Sequence, residues 1–91
     1  MNRKEKIDYL IREYEKGNYT TEIFCDQFVC VLFYEEDDSI TEEEYQQLRE
    51  YAQIFARFSD VEEDVKAGFV FDEDKIKIEF QKLFAMWYRE K

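Results

Sequence analysis

The stretch Phe28-Val29-Cys30-Val31-Leu32-Phe33-Tyr34 decides the fold. Its β-branched and aromatic residues suit a strand. The same run also continues a helical period that begins upstream. Ile23, Phe24, Phe28, Val31 and Leu32 line one face, while Cys25, Val29 and Phe33 add a second. A helix apolar on two sides is one buried by several neighbours. The continuity with Ile23 favours the helix, and with it an all-α chain.

The flanking segments agree. Upstream, Ile7, Leu10, Ile11 and Tyr14 follow the i, i+3, i+4, i+7 spacing and predict a helix over residues 3–16. Gly17-Asn18 supplies a left-handed stop, and Thr20 or Thr21 caps the next segment. Downstream, residues 35–44 form an acidic connection that closes on a capping box, Thr41 to Glu44. Tyr45, Leu48, Ala52 and Phe55 keep helical period, with Tyr51, Phe58 and Ser59 beside them, so the third helix is expected to end near Phe58. In residues 59–72, the DVEED stretch reads as one short helical turn and GFVF as extended chain. Asp72 caps a last helix whose apolar face is Ile76, Phe80, Leu83, Phe84 and Trp87. Leu48, Phe55, Phe80 and Trp87 sit at the centres of their stripes and are expected to be buried.

Four amphipathic helices are buried most simply as an antiparallel up-down four-helix bundle. The connection between the third and fourth helices, about 14 residues, is long for such a fold, and long connections are often functional.

Composition supports this reading. A chain of 91 residues has room for one domain, 1–91. Apolar residues at 45% and aromatics at 19% provide a core and argue against disorder. The absence of proline and the presence of only two glycines suit long helices. The net charge of −10 argues against direct binding to a nucleic-acid backbone and points to basic partners. No histidine is present, which removes the usual general base, nucleophile–histidine pairs and histidine-ligated metals. No calcium-loop or di-iron pattern occurs, so no metal or cofactor is expected, and no pair among the 23 acids stands out for catalysis. The N-terminus lacks the apolar run of a secretion signal. The longest apolar run, Phe28 to Tyr34, is far short of a membrane span. The expectation is a soluble cytoplasmic protein that is not an enzyme. On a helix, Cys25 and Cys30 stand roughly 140° apart around the axis, so they read as small buried apolar residues and not as a disulfide.

The charge is unevenly spread. Residues 1–16 hold five bases and four acids, and residues 75–91 hold five bases and two acids, which leaves three bases and 17 acids in residues 17–74. Two runs dominate that middle, 35–44 with seven acids and no base, and 60–74 with seven acids and only Lys66. In an up-down bundle the first run shares an end with both termini, where Arg3, Lys4, Lys6, Arg89 and Lys91 partly neutralise it. The second sits at the opposite end, near Lys16 and Lys66, and is the uncompensated pole. Against this, Glu42–Glu44 and Asp72–Asp74 open helices, where the helix dipole alone favours acids by roughly 0.3–1 kcal/mol each.

From Ala56-Arg57-Phe58-Ser59-Asp60-Val61-Glu62-Glu63-Asp64, the chain resembles the colicin D-type immunity proteins, the bacterial self-protective colicin-like immunity family. The likeness extends over Ile7-Asp8, Thr21, Ile23-Phe24, Cys30, Phe71-Asp72-Glu73 and Lys77-Ile78-Glu79. The order and spacing of these elements carry it. The family can place a glutamate before its Arg-Phe, where this chain has Ala56. The resemblance implies a four-helix antiparallel bundle that binds a cognate toxin nuclease, one that cleaves tRNA, by setting acids in its basic active-site cleft. It implies inhibitory roles for Asp60, Glu62, Glu63 and Asp64. Within the same 59–74 region Asp72 and Glu73 join the candidate toxin-binding set. Tyr51 and Arg57 are the nearest anchors of the type that dominates interfaces. Phe69 and Phe71 also lie there, and for these the packing of the loop onto the bundle is the stronger reading. The free chain is expected to be a monomer, with no nucleic-acid or membrane partner. A competing reading is an acidic interaction module, or a nucleic-acid-mimicking regulator, outside any toxin system.

Overall fold

The structure, a computed structural model, describes residues 1–59, 61–68 and 70–89, and of Glu62 the backbone alone. Five helices follow one another: α1 (Arg3–Glu15), α2 (Thr21–Tyr34), α3 (Glu42–Phe55), α4 (Glu62–Lys66) and α5 (Glu73–Tyr88). No strand occurs among the described residues. The Phe28–Tyr34 run is helical, because Phe28 and Leu32 are wholly buried on the stripe begun by Phe24. No helix among the described residues is long and apolar enough to cross a membrane.

The helix starts are chemically marked. Thr41 accepts the Glu44 N–H at 3.1 Å while the Glu44 carboxylate accepts the Thr41 N–H at 3.0 Å, so the capping box forms. Thr20, not Thr21, caps α2, and Asp72 caps α5 by accepting the Lys75 N–H at 2.9 Å. A second capping box at Asn2 and Glu5 opens α1. Gly17 ends the first turn region at φ +85°, the left-handed conformation that glycine adopts without steric cost.

The core is one contiguous apolar cluster drawn from α1, α2, α3 and α5, with Ile40 from the α2–α3 connection. Its centre is aromatic. Phe24 lies 5.3 Å from both Phe55 and Phe80, and Phe28 lies 5.2 Å from Phe55, all in edge-to-face or near edge-to-face geometry. Leu48, Phe55 and Phe80 are buried as the spacing predicts. Trp87 is only half-buried, because its indole N–H reaches Asp8 at 3.2 Å near the molecular edge. Cys25 is buried and its thiol is pushed up to about 12 by that burial. Cys30 is half-buried, and both cysteines are free.

α3 stops at Phe55, three residues before the position the periodicity favours. The reason lies across the fold. The Phe71 N–H donates to the Arg57 carbonyl at 2.7 Å, and the Ser59 N–H donates to the Phe71 carbonyl at 2.9 Å. This parallel bridge between Phe58 and Phe71 pulls the chain out of the helix and pins the two ends of the long connection together.

Candidate functional site

The two acidic runs meet different surroundings. At the 35–44 end, Lys6 pairs with Glu35, the Arg3 N–H donates to Asp37 at 2.8 Å, and Lys4 pairs with Glu44 at 2.9 Å. Hydrogen bonds from the Ser39 hydroxyl and N–H, then from the Arg3 N–H, hold the Asp37 carboxyl below its usual range. Burial works to raise the Glu44 carboxyl, yet the Thr41 N–H and Lys4 draw it down overall. Ile40 is buried beneath this connection and roots it in the core. Arg89 is exposed, and Lys91 lies outside the described residues.

The 59–74 end differs. Its neck is the Phe58–Phe71 bridge, with the Arg57 guanidinium 4.8 Å over the Phe71 ring and the Lys75 ammonium 5.7 Å from the same ring. Phe71 is half-buried against the core, which is the packing role. Asp60 and Phe69, and the side chain of Glu62, lie outside the described residues. Glu62 opens the short α4, and Glu63 and Asp64 on that helix are exposed, with no ion pair among the described residues. Val61 just before them is 49% exposed. Gly68 closes α4 at φ +83°.

The remaining candidates are divided between roles. Asp72 is spent on capping α5. Glu73 accepts the Thr21 hydroxyl at 3.0 Å and pairs with Lys77 at 3.2 Å, and those contacts, Lys77 first, depress its carboxyl. Tyr51 packs against Phe55, and its phenol is raised by burial and by the nearby Glu79 and Glu50. Tyr51 thus belongs to the α3–α5 flank. Arg57, Glu63 and Asp64 remain as exposed candidates on the connection itself and its neck.

Two open clefts adjoin this pole. One, of about 570 Å³, lies between the α1–α2 turn and the start of α5, and includes Glu15, Tyr19, Thr21, Glu22, Glu73 and Lys77. The other, of about 410 Å³, runs between α2 and the end of α3 over Val29, Phe55 and Phe58, with Glu22, Ile23 and Asp26 along its α2 side. Glu22 and Phe58 line both. The sequence reading put Ile23 on the apolar face of α2, yet it is 46% exposed and lines the cleft between α2 and the end of α3. The signal was available. Three and four positions on, Ile23 meets Asp26 and Gln27, both polar, so its own face points outward.

The sequence reading also missed Glu79, a carboxylate only 7% exposed on α5. Lys75 at 2.9 Å and Lys82 at 3.2 Å hold it, and the Lys75 bond is the main reason its carboxyl is lowered. Among the described residues, no group of three or more cysteine, aspartate and glutamate side chains is placed to hold a metal ion.

Comparison with protein-family models, with curated proteins and with solved structures finds no match to this chain.

Proposed function

We propose that this chain is an immunity protein of the colicin D type, which binds and neutralises a cognate bacteriocin or contact-dependent toxin nuclease, of the tRNA-cleaving kind, in the cytoplasm of the producing cell. Its fold in this reading is an antiparallel up-down four-helix bundle of α1, α2, α3 and α5. Contacts between helix ends support that arrangement. Lys4–Glu44 joins the starts of α1 and α3, Lys6–Glu35 joins the start of α1 to the end of α2, and Thr21–Glu73 joins the starts of α2 and α5. The protein acts by binding and not by catalysis, and it carries no cofactor.

One contrast carries the functional reading. The basic start of α1 engages Glu35, Asp37 and Glu44, although Glu36, Asp38 and Glu43 stay exposed there, whereas neither Glu63 nor Asp64, both exposed on the pinned connection, has an ion pair among the described residues. Fixed carboxylates complement a cleft built for RNA phosphates. Complementary charge also raises encounter rates to about 10⁸ M⁻¹s⁻¹ or more at low salt. The test is to clone any reading frame directly upstream that ends in a basic domain, co-express that domain with this chain, and follow with a binding titration at two salt concentrations. Relief of growth arrest with salt-sensitive binding is the expected result. Arrest that this chain does not relieve overturns the reading.

A further inference from the structure

We infer that the partner-binding surface extends from the acidic connection onto the first two turns of α2, where Ile23 is an apolar anchor ringed by carboxylates that receives a basic protein segment bearing an apolar side chain. This deepens the immunity reading and takes the partner's charge from it.

The argument starts from Ile23. A single exposed apolar residue is ordinary, but this one lines the same cleft as two other partly exposed apolar residues, Val29 and Phe58. It borders the cleft over Val29, Phe55 and Phe58, so the anchor and the groove beside it form one patch. The rim of that patch is acidic. Glu22 and Asp26 flank Ile23 on α2, and both are exposed. Beyond Glu22, the other cleft adds Glu15, while its Glu73 is engaged by Thr21 and by Lys77, the single base of that lining. An apolar centre within a charged rim, desolvated once a partner covers it, is the layout of an energetic hot spot. The sign of the rim selects the occupant. An acidic segment meets like charge at Glu22, Asp26 and Glu15, while arginine or lysine flanking a leucine-like side chain meets carboxylates there. Phe58 lines both clefts and begins the neck of the connection, so this face and the α4 acids are continuous along the chain.

The face can be tested on the free chain. The probe is a short synthetic peptide alternating arginine and leucine, titrated into isotopically labelled protein and followed by amide chemical shifts. Saturable shifts at Glu22, Ile23, Asp26 and Phe58 are expected. Ile23→Ser should weaken the peptide about tenfold or more, by loss of one buried aliphatic side chain. It should leave the helical circular dichroism and melting temperature unchanged, because the residue is already half exposed. A peptide alternating arginine and glycine should bind more weakly by a similar factor. Equal affinity for the two peptides, or shifts confined to residues 35–44, overturns the inference. So does concentration-dependent self-association that Ile23→Ser abolishes, which would make a second copy of this chain the occupant. The nuclease separates the two proposals. If Glu63→Lys with Asp64→Lys abolishes nuclease binding and Ile23→Ser, Glu22→Gln and Asp26→Asn do not, the α2 face fails and the immunity reading stands. If the unaltered chain does not bind the nuclease at all, the immunity reading fails, and the peptide titration alone decides the α2 face.

Discussion

The carboxylate of Asp8 on α1 accepts the Tyr88 hydroxyl at 2.7 Å, across 80 positions of sequence. The same oxygen accepts the Trp87 indole N–H at 3.2 Å, and Arg12 pairs with the other oxygen at 3.0 Å. The last turn of α5 is therefore fastened to α1 by a charged acceptor. Asp8→Ala should cost about 1.5–3 kcal/mol, the range for hydrogen bonds to an ionised group. Urea unfolding followed by Trp87 fluorescence measures it.

Burial first, and then the Asp8 hydrogen bond, push the Tyr88 phenol up to about 12. A folded value above the unfolded one, near 10, gives stability that is present below about pH 10 and lost as the pH rises toward the folded value. In a spectrophotometric titration of the seven tyrosines, a late-ionising component is expected that Tyr88→Phe removes. Loss of a phenol from the early-ionising part of the curve instead would show that Tyr88 does not carry the late component.

Glu79 works in the opposite direction. Its folded carboxyl is lowered, so its contribution is present above the unfolded value of about 4.3 and is lost as the pH falls through the folded value. Glu79→Gln should destabilise the protein by about 1–3 kcal/mol at neutral pH. The gap between variant and parent should close on acidification below that point. Thermal melts across the acid range test this.

Phe55→Ala removes a ring that touches Phe24 and Phe28 and should cost roughly 3–5 kcal/mol. Gly17→Ala should cost about 1–2 kcal/mol, a purely conformational penalty, since nothing lies within 4 Å of the added methyl. Chemical denaturation of each variant gives both values.

Reversal of Asp60, Glu62, Glu63 and Asp64 to lysine should leave the melting temperature nearly unchanged, as exposed surface charges such as Glu63 and Asp64 contribute little. Each desolvated pair so broken at a nuclease interface should weaken binding by about 2–5 kcal/mol. The matching reversal of Glu42, Glu43 and Glu44 should cost stability through the Thr41 box and Lys4, with a smaller effect on binding. A larger binding loss from residues 42–44 would move the interface to the other end.

Local chemistry was legible in the sequence. The threonine box at Thr41, the cap at Asp72 and the stop at Gly17 act within one turn, so their residues announce them. The buried stripe of α2 was legible for the same reason of period. What escaped depends on distant partners. α3 ends early because Phe71, sixteen positions beyond Phe55, bonds across to Arg57 and Ser59. Trp87 stays at the edge because Asp8 holds its indole. Glu79 is buried because two lysines on its own helix screen it, a pairing easily lost among many surface charges. At the candidate site, the acids were legible by count. Asp72 and Glu73 were not separable from Glu63 and Asp64 until their bonds to Lys75, Thr21 and Lys77 were in view.

The two hydrogen bonds between Arg57, Ser59 and Phe71 have an evolutionary corollary. They close the segment at its base, so whatever lies between becomes an exchangeable cassette on an unchanged scaffold. Doubling such a loop adds only about 0.6 kcal/mol of closure entropy. New lengths and new charge patterns can therefore be sampled between residues 60 and 70 without refolding α1, α2, α3 or α5. Selection can act on that insert while Arg57 and Phe71 keep its ends together.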